Sequence, residues 1–320
     1  MNASNPIAID FLARLNDEVS TQLVSRVPLV GEVARHTIDS GGKRLRPIIL
    51  LLSAASLGYE ERGAIQLAAA IEFVHTATLL HDDVVDSSTI RRGLQTANEC
   101  FGNGAAVLVG DFLYSRAFQI MVDVGEDEVF RIMADATNDI SEGEVLQLSN
   151  VKNLELTVSS YFEMIRAKTS RLFEAAAMLG GIVAGGDKEI IADLGLYGTH
   201  IGTAFQIVDD ILDYDGAQSH IGKKPGDDLA EGKITLPVIH ALENGSKDDV
   251  AVIREAVLAD GTSGLSGVVD IFRKLGSLDY SRDLARMEVE LAQQSISSLP
   301  QSSFKDCMME LAQNSLSRIN

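Results

Sequence analysis

Leu79-Leu80-His81-Asp82-Asp83-Val84-Val85-Asp86, continued by Ser87-Ser88-Thr89-Ile90 into Arg91-Arg92-Gly93, decides how this 320-residue chain is read. The residues ahead of it, Ala64 to Leu80, are apolar almost all round, which predicts a helix buried on every side with three carboxylates near its C-terminal end. Acid is costly in such a place. Asp82 and Asp86 share one helical face, roughly 6 Å apart along the axis, so both can reach a single object in front of it. Carboxylates this crowded repel one another unless a cation lies between them.

The signal recurs at Asp209-Asp210-Ile211-Leu212-Asp213, after an apolar helical run containing Gly202, Ala204, Phe205 and Gln206. Two acidic clusters on two buried helices predict facing walls of one cavity, and Gln206, one turn before Asp209 and Asp210, is expected to face it too. Oxygen-only donors with no neighbouring Cys or paired His suit Mg²⁺, which keeps waters and takes one or two carboxylates together with substrate phosphates. Upstream, Ser40-Gly41-Gly42 leads into Lys43-Arg44-Leu45-Arg46-Pro47. Paired glycines let the backbone approach an anion, and Lys43 and Arg46 can converge on it at a helix start. Arg offers planar, bidentate hydrogen bonds to phosphate and Lys a point charge. Basic loops are ordinarily surface decoration, but this chain is short of basic residues and still places three beside two glycines.

Together these motifs resemble those of the trans-prenyltransferases, the isoprenyl diphosphate synthase family. Its two aspartate-rich motifs match Asp82 to Asp86 and Asp209 to Asp213; the likeness runs in motifs from Gly41 to Pro237 and in helical pattern beyond. Ile71-Glu72-Phe73-Val74-His75-Thr76-Ala77-Thr78 and Glu142-Gly143-Glu144-Val145-Leu146-Gln147-Leu148 most resemble bacterial octaprenyl diphosphate synthases. The resemblance implies an all-α, single-domain isoprenoid-synthase bundle over residues 1–320 around a deep central cavity. It also implies successive condensation of isopentenyl diphosphate onto an allylic diphosphate, farnesyl or similar, with trans double bonds.

Residue by residue, the resemblance implies Mg²⁺ on Asp82, Asp86 and Asp209, with Asp83, Asp210, Asp213 and Lys168 completing the catalytic set. Isopentenyl diphosphate is expected on Lys43, Arg46, His75 and Arg92, and the allylic diphosphate on Arg91, Lys168, Thr169, Lys223 and Lys233, with Gln206 also counted among the substrate-binding residues. Without the resemblance, His75 reads as a satisfied core histidine and Lys168 as a solvated lysine. Ala77 and Thr78 stand where bulky aromatics in the family block the growing tail, so a channel open to long chains is expected, with Met121 and Met133 as candidate floor. Eight isoprene units are expected, for a quinone side chain; nonaprenyl, decaprenyl and geranylgeranyl products are the alternatives. A homodimer is expected, with peripheral membrane contact for product release.

Composition narrows the field. Forty-six acidic against 27 basic residues give a formal charge of −19, which argues against nucleic acid as a partner. Absence of sustained strand-like alternation and a 46% hydrophobic content favour one helical domain. Cys100 and Cys307 are too few and too far apart for a disulfide framework or zinc site, so they read as core thiols in a reducing cytoplasm. No signal peptide is read at the N-terminus. Ala64 to Leu80 comes nearest to a membrane span, but Glu72 and His75 interrupt it and it falls short of the roughly 20 residues a bilayer needs. Three rivals fit less well. A class I terpene cyclase would carry a different second metal motif and need no second diphosphate site; a non-catalytic partner subunit would lack an aspartate motif; a metal-storage bundle would show paired Glu-x-x-His.

Overall fold

The computed structural model describes residues 5–215, 226–259 and 264–318. Proline and short polar residues open several helices. Pro6 and Pro28 sit in the first turns of α1 (Pro6–Gln22) and α2 (Pro28–Asp39), where the missing N–H is one the helix leaves unpaired anyway. Asn5 caps α1 by accepting from the Ile7 amide. After Gly41-Gly42, α3 (Leu45–Ser56) begins from Arg44, which is held in the left-handed region at φ 48°.

The expected buried helix is α4 (Arg62–Val85), with Asp86 as its C-cap. It packs against α3 and α6 (Asn103–Val124), and fourteen of its residues are buried. At 24 residues it is longer than expected and passes the length and apolarity test for a membrane span, as does α6. In α4 the apolar window is 72% buried within the fold, so the core accounts for its composition; in α6 only 39% is buried.

Beyond α4, two-residue strands β1 (Ile90–Arg91) and β2 (Leu94–Gln95) pair antiparallel, a hairpin the sequence pattern did not announce. Then come α5 (Ala97–Phe101), α6 and α7 (Asp127–Ser149). Residues 157–185, expected as one helix, divide into α8 (Val158–Ile165), a π-helical turn (Arg166–Ser170) and α9 (Arg171–Val183). α10 (Lys188–Tyr214) carries the second acidic cluster and packs against α9 and α15 (Ser277–Ser295).

The last third is helical as expected: α11 (Asp227–Ala230), α12 (Leu236–Asn244), α13 (Lys247–Leu258), α14 (Leu265–Leu275), α15 (Ser277–Ser295) and α16 (Ser303–Ser315). Among the described residues, one apolar cluster runs from Phe11 to Leu316. Cys307 belongs to it; Cys100, read as a core thiol, is exposed.

Candidate active site

A cavity of about 890 Å³ opens between α3, α4, α7, the π turn and α10. On α4 its wall is His75, Thr78, Leu79, Asp82 and Asp86, the i, i+3, i+4, i+7, i+11 set of one helical face. Several of the expected residues stand off this wall. Asp83 lies 100° round from Asp82 and does not line the cavity; it is 2% exposed and accepts Arg91 Nε and Nη2 at 2.8 Å each. Ala77 is fully buried and off the wall. It stands one turn before His81, whose ring lies against Val107 and Tyr114 of α6, so Ala77 shares the α6-facing side. Thr78 alone of that pair meets the cavity. Met121 and Met133 are core residues, not lining.

At the α3 end the cationic residues converge. Arg46 is stacked 4.2 Å from the Phe173 ring centroid, and its Nη1 donates to His75 Nε2 at 3.2 Å. Burial lowers Arg46 to about 10, which leaves it charged at neutral pH; burial and then Arg46 hold His75 well below its usual range, so the imidazole is neutral and accepts. The Arg46 Nε is buried without a protein acceptor. Gly42, at φ 143°, is where Arg92 arrives: a Cβ there would stand 2.8 Å from the Arg92 Nη1. Arg92 itself takes φ 53°, a conformation that costs a non-glycine residue roughly 1–3 kcal/mol and so points to surroundings that hold it in place. Behind this group Arg44 is ion-paired with Glu72 of α4 and donates to the Ile38 carbonyl at 2.8 Å, fixing the glycine loop. Glu72 was read only as an interruption of an apolar run.

The opposite end is acidic. Burial, followed by the neighbouring Glu144, pushes Asp82 up to about 7. Asp210 is held by both oxygens: Tyr161 OH donates to Oδ2 at 2.6 Å and Gln206 Nε2 to Oδ1 at 2.7 Å. Burial and then Asp228 nevertheless push it up to about 8. Asp209 and Asp213 also line the cavity, and Asp213 Oδ2 accepts the Asp228 amide at 3.1 Å. Among the described residues, no three His, Cys, Asp or Glu side chains converge into a closed metal cage. Carboxylates on facing walls that leave coordination to waters and a phosphate suit a hard octahedral cation better than a cage would.

Cations are interleaved with this acid. Lys233 Nζ is 3.3 Å from Asp86 Oδ2. Lys168 and Thr169 sit in the π turn, where one extra residue re-aims side chains that a regular helix would carry elsewhere. Lys168 Nζ donates to Glu144 Oε2 at 2.7 Å and also to Gln147; Thr169 Oγ1 donates to Gln206 Oε1 at 2.8 Å. The turn is pressed from both sides, since a Cβ on Gly143 of α7 would lie 2.6 Å from the Lys168 amide and one on Gly202 of α10 would lie 2.5 Å from the Ser170 Cα. Glu144, Gln147 and Tyr161 were not singled out as site residues, and only their polarity at helical spacing could have marked them. Lys223 lies outside the described residues.

The family model described as "Polyprenyl synthetase" matches residues 27–272. An octaprenyl diphosphate synthase of Haemophilus influenzae is 46% identical over 96% of this chain and 94% of its own. The crystal structure of a decaprenyl diphosphate synthase from Rhodobacter capsulatus superposes with a TM-score of 0.92 at 40% identity, covering 98% of this chain and 97% of that one. A polyprenyl synthase from Caulobacter crescentus CB15, complexed with calcium and isoprenyl diphosphate, gives 0.93 at 38% identity over 98% and 96%.

Proposed function

The chain belongs to the polyprenyl synthetase family and is a long-chain trans-prenyltransferase, and on that premise we propose that it extends an allylic diphosphate by isopentenyl units to octaprenyl diphosphate. What supports the reading most is the meeting, in one cavity, of a cationic pocket at Lys43, Arg46 and Arg92 with two acidic walls at Asp82/Asp86 and Asp209/Asp213. Two diphosphates need two differently charged cradles. Asp82, Asp86 and Asp209 would hold Mg²⁺, which supplies Lewis-acid neutralisation of the leaving diphosphate when bound. Their fit rests on an oxygen-only donor set lining one cavity, and on Asp82, which burial and then Glu144 raise and which a cation would favour in its charged form.

Lys43, Arg46, Arg92 and the Gly42 backbone hold the isopentenyl diphosphate, while His75, kept neutral, orients Arg46. Arg91, Lys168, Thr169 and Lys233 hold the allylic diphosphate, with Gln206 positioning Thr169 and Lys223 assigned here by resemblance alone. The allylic C–O bond breaks and its electron pair leaves on the diphosphate. The isopentenyl double bond attacks the allylic cation, a C–C bond forms, and a proton is lost to restore the double bond. His75 Nε2 is engaged by Arg46, and the family resemblance assigns the proton to the departed diphosphate. Preorganised cations and exclusion of water by Leu79, Leu172 and Phe173 are the protein's share.

The two cradles differ in what they need. Calorimetry is expected to show a non-hydrolysable farnesyl diphosphate analogue binding only with Mg²⁺ and isopentenyl diphosphate binding without it. The reverse pattern would exchange the two sites. For product length, Thr78→Phe is expected to shift the main product towards geranylgeranyl diphosphate while the first condensation survives, because Thr78 is one turn behind Asp82 on the cavity wall. A folded Thr78→Phe enzyme that still makes the parent product would show that the tail takes another route; nine and ten units remain the alternative lengths.

The chain is further proposed to act as one catalytic domain, cytoplasmic, touching membrane only peripherally as product leaves for a quinone side chain. It is proposed to be a homodimer through α6, whose outward face includes Val107 and Leu108, 37% and 69% exposed. Sedimentation as a monomer at micromolar concentration would remove the dimer.

A further inference from the structure

We propose that Glu288, on α15 in the stretch that shows no chemistry in the sequence, is a positioning residue for the Lys168/Thr169 turn. This rests on the reading that Lys168 and Thr169 hold the allylic diphosphate. The C-terminal half of the π turn is fastened to α10 at positions three residues apart: Ser170 Oγ is 3.0 Å from Thr203 Oγ1, and Thr169 Oγ1 donates to Gln206 at 2.8 Å. The first residue of the turn, Arg166, is held instead from α15. Its Nη2 lies 3.4 Å from Glu288 Oε1, while Glu288 Oε2 lies 2.6 Å from Nδ1 of His200, one step further back along the same face of α10. One carboxylate therefore ties both ends of the arrangement, the start of the turn and the helix that carries its other contacts.

Glu288 is 6% exposed, and the other buried α15 positions around it, Ser281, Ala285, Val289 and Ala292, are small or apolar. A carboxylate is expensive at such a site unless its partners repay the lost hydration. A residue needed only for packing would have no use for that charge. With the carboxylate removed, Arg166 and His200 lose their common partner, the turn is free to tilt, and Lys168 Nζ leaves the place from which it faces Asp82 and Glu144.

The test uses full-length enzyme carrying Glu288→Gln, which keeps the side-chain volume, beside Glu288→Ala, Lys168→Ala and the Glu288→Gln/Lys168→Ala double variant. Glu288→Gln is expected to raise KM for farnesyl diphosphate about tenfold, an effect of displaced positioning, with KM for isopentenyl diphosphate moving less than about twofold. Because Glu288 acts through the turn, most of that rise is expected to vanish once Lys168 is already Ala. An equal rise in both KM values, or a tenfold effect that persists in the Lys168→Ala background, would make Glu288 a structural ion pair and overturn the inference. If Lys168→Ala raises the farnesyl KM and Glu288→Gln does not, only this inference fails. If Lys168→Ala leaves that KM unmoved, the assignment of the turn fails and takes Glu288 with it.

Discussion

Asp82→Ala is expected to lower turnover by roughly three orders of magnitude, the scale of losing a dominant electrostatic contact to developing charge, while the helical fold stays intact. Asp209→Ala is expected to do the same from the opposite wall. Asp82 lines the cavity rather than the apolar core, and burial followed by Glu144 disfavours its charged form, so its replacement leaves the core intact. The loss should therefore appear in kcat and in the Mg²⁺ concentration needed for half-maximal rate, with circular dichroism and melting temperature close to the parent. Turnover within tenfold of the parent for either variant would rule out a metal site shared between α4 and α10.

The second large effect is on stability. Arg44→Met is expected to cost about 3–5 kcal/mol, because it strands the Glu72 carboxylate, 5% exposed, without its ion-pair partner. Burial already pushes Glu72 up, and Arg44 is the first group opposing that shift. Arg44→Met combined with Glu72→Leu is expected to recover much of the loss, since removing both charges leaves nothing to desolvate. Urea midpoints of the two variants check this. Equal stability of single and double variants would mean that Glu72 is satisfied by Arg46 and Arg92 alone. Both variants should also raise KM for isopentenyl diphosphate, as the Gly41–Lys43 loop loses the anchor that Arg44 provides.

The first acidic helix was legible because its signal is local. Acid at i and i+4 behind an apolar run is unusual whatever surrounds it, and α4 carries Asp82 and Asp86 on the cavity face as that spacing requires. Paired glycines before a helix start marked Lys43 and Arg46 in the same local way, and both line the cavity. What could not be read depends on partners far along the chain. Asp83 looks equivalent to Asp82 until Arg91 comes back through a hairpin of two-residue strands to pair with it. Ala77 looks equivalent to Thr78 until α6 closes over its side of the helix. The π turn at Arg166–Ser170 has no periodic signature in the sequence, and the close approach of α7 and α10 to it at Gly143 and Gly202 joins residues far apart along the chain. Tyr161, which donates to Asp210, is separated from it by 49 residues and reads as one more core aromatic.

The most direct measurement is a single incubation of purified full-length protein with Mg²⁺, farnesyl diphosphate and labelled isopentenyl diphosphate, with the products dephosphorylated and resolved by chain length. The expected result is a ladder of all-trans products ending at eight isoprene units, abolished by chelation and restored when Mg²⁺ is returned. No incorporation of label with Mg²⁺ present, or incorporation that chelation leaves untouched, would contradict a site in which two facing carboxylate walls and a cationic pocket join two diphosphates.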